Sequence, residues 1–429
     1  MSNELMALFD PVDRTTRQLE GRHKWLVAKG KGTLEYPTGF GKTTAAINCL
    51  TKVLSKYPNF KIIVVVPTTG LQNQWISKLD EKGLSLNSEV LVVNSAIKDQ
   101  YTCDILVIDE IHRMAAETFQ SVFKTIKYKL ILGLTATFDR LDGKQELIAK
   151  YCPVIDYISP DEARRNRWVS EYNEYLVLVD VDNIDVYKEY NKQFTEHFEF
   201  FNYDFKLAIS MVGKDGLKHR MNYADSICDR NQDKDKWKEA LRNITYHAVQ
   251  FMKVIQDRKQ FINNHPKKIE LARKIIEARQ DKKIITFSNS IEMAESIGYG
   301  VVYSGKDSKK KERTTLDSLA SGEVQIINTS QKANEGLDIP GLSVAIILGF
   351  DSSKIKSTQR RGRVIRKEEG KVAEIFNIVI NSTVELEWFR NSHDKNSYIT
   401  ISESGLEQVL RGEDPDPYKR PLQKLSFRF

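Results

Sequence analysis

The fold this sequence predicts is α/β, with two parallel-sheet lobes in tandem and a helical insertion between them. Three observations predict it. Short β-branched runs alternate with helix-length stretches over the first 155 residues, the same rhythm returns after residue 283, and the stretch between shows helical periodicity instead. The early apolar runs lie at 33–36, 62–66, 90–93, 105–108 and 130–134. Runs apolar on both faces fit strands covered by helices on each side, and hence a parallel sheet. The late runs lie at 284–287, 301–303, 324–328, 344–348 and 374–380. After Arg366 we expect one more strand and a polar tail that ends at residues 425–429.

In the middle region Tyr187, Tyr190, Phe194, Phe198, Phe201, Phe205 and Ile209 recur every three or four residues, the spacing of one continuous helical stripe. Trp237, Leu241, Ile244, Ala248, Phe251 and Ile255 form a second stripe, with a polar, Gly-containing stretch at 213–236 between the two. This predicts a pair of helices whose aromatic stripe is core; a base-stacking surface is the alternative. The expected domains are 1–157, 158–265 for the connector and insertion, and 266–429.

Composition narrows the class without naming it. The chain has 429 residues, 41% apolar and 29% charged, with a formal charge of +7. That excludes disordered and collagen-like classes and only weakly favours a polyanionic partner. The apolar runs are far shorter than the roughly 20 residues that cross a bilayer, so no membrane partner is expected. The N-terminus has neither a basic segment nor an apolar core of the secretory kind. Cys49, Cys103, Cys152 and Cys228 stand far apart with no CxxC pair, and the histidines show no metal spacing. The expected setting is therefore reduced and intracellular.

Pro37-Thr38-Gly39-Phe40-Gly41-Lys42-Thr43 follows the first apolar run and precedes a helix-like segment. Strand, glycine loop and helix in that order make a phosphate cradle, because curled backbone N–H groups and the helix N-terminus face the anion. Lys42 would supply a charge to the terminal phosphates, and the Thr43 hydroxyl would bind Mg²⁺. The strict pattern wants Gly where this chain has Tyr36, so a bland Gly-rich turn is the alternative reading. A second site argues against that alternative. Leu106-Val107-Ile108-Asp109-Glu110-Ile111-His112 is an apolar strand ending in two adjacent acids. At the C-terminal edge of a parallel sheet Asp109 can hold Mg²⁺ through water, while Glu110 orients and deprotonates an attacking water. The reaction class is nucleoside triphosphate hydrolysis.

With these residues in hand the chain resembles superfamily 2 helicases and translocases, with motifs in the expected order over residues 14–366. Asp109-Glu110-Ile111-His112 resembles the DExH form of motif II, and Thr135-Ala136-Thr137 resembles motif III, with Phe138 where relatives commonly have Pro. Pro67-Thr68 with Leu71, Gln74 and Trp75 resembles motif Ia; Thr329, Gly336 and Asp338 resemble motif V; Gln359-Arg360-Arg361-Gly362-Arg363-Val364-Ile365-Arg366 resembles motif VI. Arg17-Gln18 with Glu20 and Trp25 is similar to the adenine-reading Gln segment, although Arg17 stands where relatives often carry an aromatic residue.

The resemblance implies RecA-like lobes and ATP with Mg²⁺ as cofactors. ATP would be bound by Gln18, Thr38, Gly39, Gly41, Lys42, Thr43, Thr44, Gly336 and Asp338. The Gln18 amide would pair with N6 and N7 of adenine, a surface glutamine being the alternative. Thr43 and Asp109 would hold the metal, Glu110 would act as base, and His112, Thr135 and Thr137 would couple the lobes. From the second lobe Gln359, Arg363 and Arg366 would complete catalysis, the two arginines meeting the charge that builds on the transferring phosphoryl group. Arg360 and Arg361 are expected in local packing or solvent.

The partner it implies is DNA, single-stranded, duplex or branched, rather than RNA, gripped through its phosphates by Pro67, Thr68, Ser288 and Thr329. Thr329 has an N-cap as its alternative reading. Lys309-Lys310-Lys311 reads as a solvated face or a phosphate contact. Lys214, Lys218, His219 and Arg220 read as a duplex-gripping tip or a solvated turn. The leading expectation is a monomeric, cytoplasmic ATP-dependent DNA helicase or translocase, most like compact phage branch-migration helicases and then in a host's cytoplasm. An RNA helicase and an ATP-gated clamp without unwinding remain alternatives.

Overall fold

The structure is a computed structural model that describes residues 12–115, 120–138, 145–303, 314–315, 317–319, 321–330, 339, 341–351, 360–366, 368, 370–393, 397–416 and 418. Helix α1 (Arg14–Val27) leads into β1 (Lys31–Glu35), α2 (Lys42–Leu54), β2 (Ile62–Val66), α3 (Thr69–Glu81), β3 (Ser88–Val92), β4 (Ile105–Asp109), β5 (Leu130–Thr135) and β6 (Val154–Tyr157). These strands form one sheet in the order β3-β2-β4-β5-β1-β6, parallel throughout. Every residue of β2 and β4 is buried, which is why both read as unbroken apolar runs. Edge strand β6 has no such run: Asp156 is buried, Ile155 half-buried, and Val154 and Tyr157 are exposed.

The second lobe is also a parallel sheet, and it draws a strand from outside its expected bounds. Its strands are β7 (Glu171–Val179), β8 (Lys283–Phe287), β9 (Val301–Tyr303), β10 (Ile326–Thr329), β11 (Leu342–Ile347), β12 (Val372–Ile380) and β13 (Ile399–Ile401), in the order β9-β10-β8-β11-β12-β7-β13. Strand β7 comes from the segment expected to be connector and insertion, yet pairs along its whole length with β12. Beyond Arg366 the expectation of one strand and a tail falls short. The described residues hold β12, β13 and two helices, Val384–Ser392 and Glu403–Leu410, while residues 425–429 lie outside the described set.

The insertion holds four helices rather than a pair: α4 (Ile184–Phe200), α5 (Phe205–Ser210), α6 (Gly216–Ile227) and the 30-residue α7 (Lys234–Asn263). The aromatic stripe is broken because Asn202 and Tyr203 adopt left-handed backbone, at φ 52° and 59°, and Asp204 then caps α5 by accepting from Leu207 N. Phe194, Phe198 and Phe201 pack with Trp237, Ile244, Ala248 and Phe251 in a core of their own. Phe205 and Ile209, past the break, are exposed.

The two lobes touch. One apolar cluster runs from Leu34 and Phe40 through Trp168 and Val169 to Val364, Ile365 and the second sheet. Among the described residues no helix is long and apolar enough to cross a membrane.

Candidate active site

Because the first sheet is parallel, the loops after β1, β2, β4 and β5 all emerge on one edge. That edge opens on a cavity of about 660 Å³ lined by Thr38, Gly39, Gly41, Lys42, Thr43, Thr44, Asp109 and Glu110, with Arg363 and Arg366 from the other lobe. Helix α2 begins at Lys42 directly after Gly41, whose φ of 98° suits glycine, and no side chain caps its first turn. Its leading N–H groups are thus free to face an anion.

Gln18 lies behind this loop. Its Nε2 donates to Phe40 O at 3.0 Å and to Gly41 O at 3.5 Å, and the side chain is buried. In this arrangement the amide nitrogen holds the glycine loop from behind. Gln18 thus braces the cradle.

Two departures from the family pattern prove to be one brace. The Tyr36 hydroxyl donates to Asp156 Oδ2 at 2.6 Å, and Arg17 pairs with both oxygens of that carboxylate at 2.6 and 2.9 Å. Tyr36 also meets the Phe40 ring edge-on at 5.0 Å between centroids. Burial alone would raise the Asp156 carboxyl, but Arg17, Lys24 and Tyr36 outweigh it and hold it below its ordinary value. A third departure, Phe138, donates its backbone N–H to Glu35 Oε1 at 3.0 Å, a bond that proline has no N–H to make.

The two acids differ in setting. Asp109 Oδ2 accepts from Trp75 Nε1 at 2.9 Å and Oδ1 from Glu110 N at 2.9 Å; burial and the neighbouring Glu110 charge push its carboxyl up to about 6. Glu110 has left-handed backbone, φ 50°, a conformation costly for a residue with Cβ and common where a site dictates direction. Its Oε1 stands 4.0 Å from Lys42 Nζ, and its buried Oε2, 3.4 Å from His112 Nδ1, has no hydrogen-bond partner among the described residues. The His112 Nδ1 also meets Thr135 Oγ1 at 3.0 Å, and Thr135 Oγ1 donates to Thr137 O at 2.8 Å. The expected coupling trio is therefore one hydrogen-bonded chain. A hydroxyl at Thr43 and a carboxylate at Asp109 that burial makes costly to ionise form a hard oxygen set that suits Mg²⁺.

Across the cleft, Gly362 lies so near the glycine loop that a Cβ there would stand 2.0 Å from Thr38 Cβ. Only glycine lets the two lobes meet at this point. Ser170, in the stretch that joins the lobes, donates its hydroxyl to Arg366 O at 2.7 Å and its N–H to Ile365 O at 3.0 Å. Burial lowers the Arg366 guanidinium from its ordinary value. Arg360 donates to Gly349 O and lies over the Phe287 ring, while Arg361 pairs with buried Glu174 at 3.2 Å, so both belong to packing.

The phosphate-gripping residues separate. Pro67 is half-buried and lines the cavity, and the Thr68 hydroxyl accepts from Leu71 N at 3.3 Å as the N-cap of α3. Thr329 and Ser288 do not reach a surface: both are buried, with Thr329 Oγ1 donating to Thr286 O at 2.6 Å and Ser288 Oγ to Ser290 O at 2.8 Å. The N-cap geometry is seen at Thr68; the residues that Thr329 would cap lie outside the described residues. Lys218, His219 and Arg220 sit on α6, and Arg220 donates to Met211 O within the insertion. Gln359, Gly336, Asp338 and Lys309–Lys311 lie outside the described residues. Sequence reasoning missed Arg14 and Lys78 in the cavity lining; Arg14 precedes Gln18 by one helical turn and so shares its face.

A glycine loop, a pair of acids and arginines from a second lobe around one cavity define a two-lobed nucleotide hydrolase. Comparison with known proteins gives the family. Residues 11–100 and 85–140 match the type III restriction enzyme res subunit family, and residues 267–368 match the helicase conserved C-terminal domain. The chain belongs to the superfamily 2 helicases and is an ATP-hydrolysing helicase. It is 26% identical over 395 residues to the DNA 3'-5' translocase XPB2 of Sulfurisphaera tokodaii, covering 88% of this chain and 83% of that one. Two further relatives are each 24% identical. One is a protein named as a helicase in Sulfolobus islandicus filamentous virus, of which this chain covers 65%. The other is named as an ATP-dependent RNA helicase in Acanthamoeba polyphaga mimivirus, of which it covers 66%. The alignments take in 88% and 90% of this chain. Among solved structures, S. cerevisiae Dbp5 bound to RNA and ADP BeF3 superposes with a TM-score of 0.55 at 12% identity over 89% of this chain and 88% of that one, which shows the shared fold. The Pyrococcus furiosus Hef helicase domain matches with a TM-score of 0.49 at 19% identity over 88% and 98%.

Proposed function

We propose that this chain is a DNA helicase or translocase that turns ATP hydrolysis into movement on DNA and remodels forks or branched junctions by branch migration, working as a monomer. The observation that carries the reading is the shared cavity, in which Lys42, Asp109 and Glu110 of one lobe face Arg363 and Arg366 of the other. Lys42 binds the terminal phosphates, Glu110 takes the proton of the attacking water, and Arg363 and Arg366 meet the charge that builds on the transferring group. Thr43 and Asp109 would hold Mg²⁺, which when bound would neutralise charge on the phosphate oxygens. Since the arginines arrive from the far lobe, turnover needs a closed cleft and product release lets it open, so each cycle moves one lobe against the other. The chain divides at about residues 157 and 265, with β7 counted in the second lobe. Thr68 grips a phosphate at the mouth of the first lobe.

DNA is favoured over RNA by the relative named as a DNA translocase, while the relative named as an RNA helicase keeps the second reading open. The test is ATP turnover with single-stranded DNA, duplex, forks, four-way junctions and RNA, followed by strand displacement on the best activator. Stimulation by forks and junctions with displacement is expected. Preferential activation by RNA would reverse the choice of partner, and stimulation without displacement would point to a clamp. Lys42→Ala should abolish turnover without unfolding; a variant as active as the parent would refute the site itself.

A further inference from the structure

Helix α3 runs from Thr68 along the cavity wall, and Trp75 stands on its cavity face. Its N-terminus is capped by Thr68. Along one face Leu71, Gln74, Trp75 and Lys78 follow at helical spacing, and all four line the nucleotide cavity. Trp75 is 1% exposed, and its indole N–H donates to Asp109 Oδ2 at 2.9 Å, reaching from α3 to the end of β4. The other carboxylate oxygen accepts from Glu110 N, the adjacent residue of the same chain segment. That amide moves with Asp109, so the indole is the donor that fixes the carboxylate against another element. A helix of 13 residues spans about 20 Å and moves as a rod, so displacement at Thr68 is carried to the indole.

We infer that Trp75 is a positioning residue that couples phosphate-backbone contact at Thr68 to the orientation of the Asp109 carboxylate toward Mg²⁺. This rests on the reading of Asp109 as the metal-holding acid and of Thr68 as a nucleic-acid contact. An indole N–H donates and does not accept, so Phe keeps the ring and removes the bond. Partners that orient a metal-holding carboxylate typically change metal affinity 10- to 100-fold when removed.

The test is calorimetric titration of the whole chain with ADP, with and without MgCl₂, for the parent and Trp75→Phe. The expected result is metal-free ADP affinity within about twofold of the parent and a metal-dependent gain reduced roughly tenfold. Adding a single-stranded DNA oligonucleotide should raise that gain in the parent and leave it flat in the variant. An identical metal-dependent gain in both proteins would overturn the inference. Should Trp75→Phe fail to fold, Trp75→His, which restores a ring N–H, takes its place against Trp75→Leu. Recovery by His alone supports the inference, and no difference between His and Leu overturns it. The ADP titration contains no nucleic acid. If DNA fails to bind the parent, the proposed function fails while the metal result still decides the role of Trp75.

Discussion

The two parallel sheets present their C-terminal edges differently, although the sequence marks both in the same way. At the first edge the polar residues after the strands face open space: Lys42, Thr43, Asp109 and Glu110 line the cavity. At the second, Ser288 and Thr329 turn inward and spend their hydroxyls on the backbone of neighbouring strands, while the cavity receives Arg363 and Arg366 from the segment beyond β11. A strand-end hydroxyl therefore marks an edge without marking its direction. The first lobe lines the cavity from its sheet edge, and the second lines it with arginines from off its sheet.

Removing that charge should have the largest effect. Arg366→Ala is expected to lower kcat by 10³-fold or more, as for arginines supplied across a cleft, with ATP affinity changed by less than threefold. A loss confined to affinity, in steady-state and equilibrium titrations, would place Arg366 with the ground-state binders of the first lobe. Glu110→Gln acts on the other side of the comparison. It should cost roughly 10²- to 10³-fold in turnover while ATP still binds. Undiminished turnover would remove Glu110 as the base, whatever strain its left-handed backbone stores.

Next comes the strut behind the arginines. Glu174 of β7 is fully buried and meets Arg361, His393 and Asn377 at 3.2, 3.2 and 3.1 Å. Burial would raise its carboxyl, but Arg361, His393 and Asn377 reverse this and bring it to about 2, below the ordinary 4.5. A depressed folded-state value means that the stabilisation is present above about pH 4.5 and lost as pH falls toward 2. Glu174→Gln should cost on the order of 3 kcal/mol at pH 7, with the gap to the parent closing on acidification through that window. Denaturant titrations at several pH values read this directly, and a gap that does not depend on pH would assign the loss to packing alone.

These residues also show what the sequence could and could not say. Strands covered on both faces, such as β2 and β4, write themselves as apolar runs, and the acids after β4 were legible because of that run. Strand β7 was missed because Glu171, Asn173 and Glu174 interrupt its pattern. The partners that make a buried Glu174 tolerable come from β12 and from residues 361 and 393, distant in sequence. Tyr36 and Arg17 looked like separate lapses from a motif because their common partner, Asp156, lies on an edge strand with no apolar signature. The break after Phe201 depends on left-handed backbone at Asn202 and Tyr203, which an aromatic period of three and four residues does not reveal.

The smallest effect should come from the contact that joins the lobes without touching ATP. The Ser170 hydroxyl donates to Arg366 O at 2.7 Å and accepts from Glu368 N at 3.1 Å, so Ser170→Ala releases two restraints on the segment that carries the arginine. Two others persist: Ser170 N to Ile365 O at 3.0 Å and Lys371 Nζ to Arg366 O at 3.2 Å. A partly redundant hydrogen bond is worth about 0.5–1.5 kcal/mol, which corresponds to roughly a 3- to 10-fold fall in kcat if the arginine acts only in the closed cleft. KM for ATP should hardly move, because Ser170 is absent from the cavity lining. A raised KM at constant kcat would mean that the contact shapes binding rather than the reach of Arg366. An unchanged kcat would mean that the remaining contacts of Arg366 hold the second lobe's arginine, independently of the Ser170 hydroxyl.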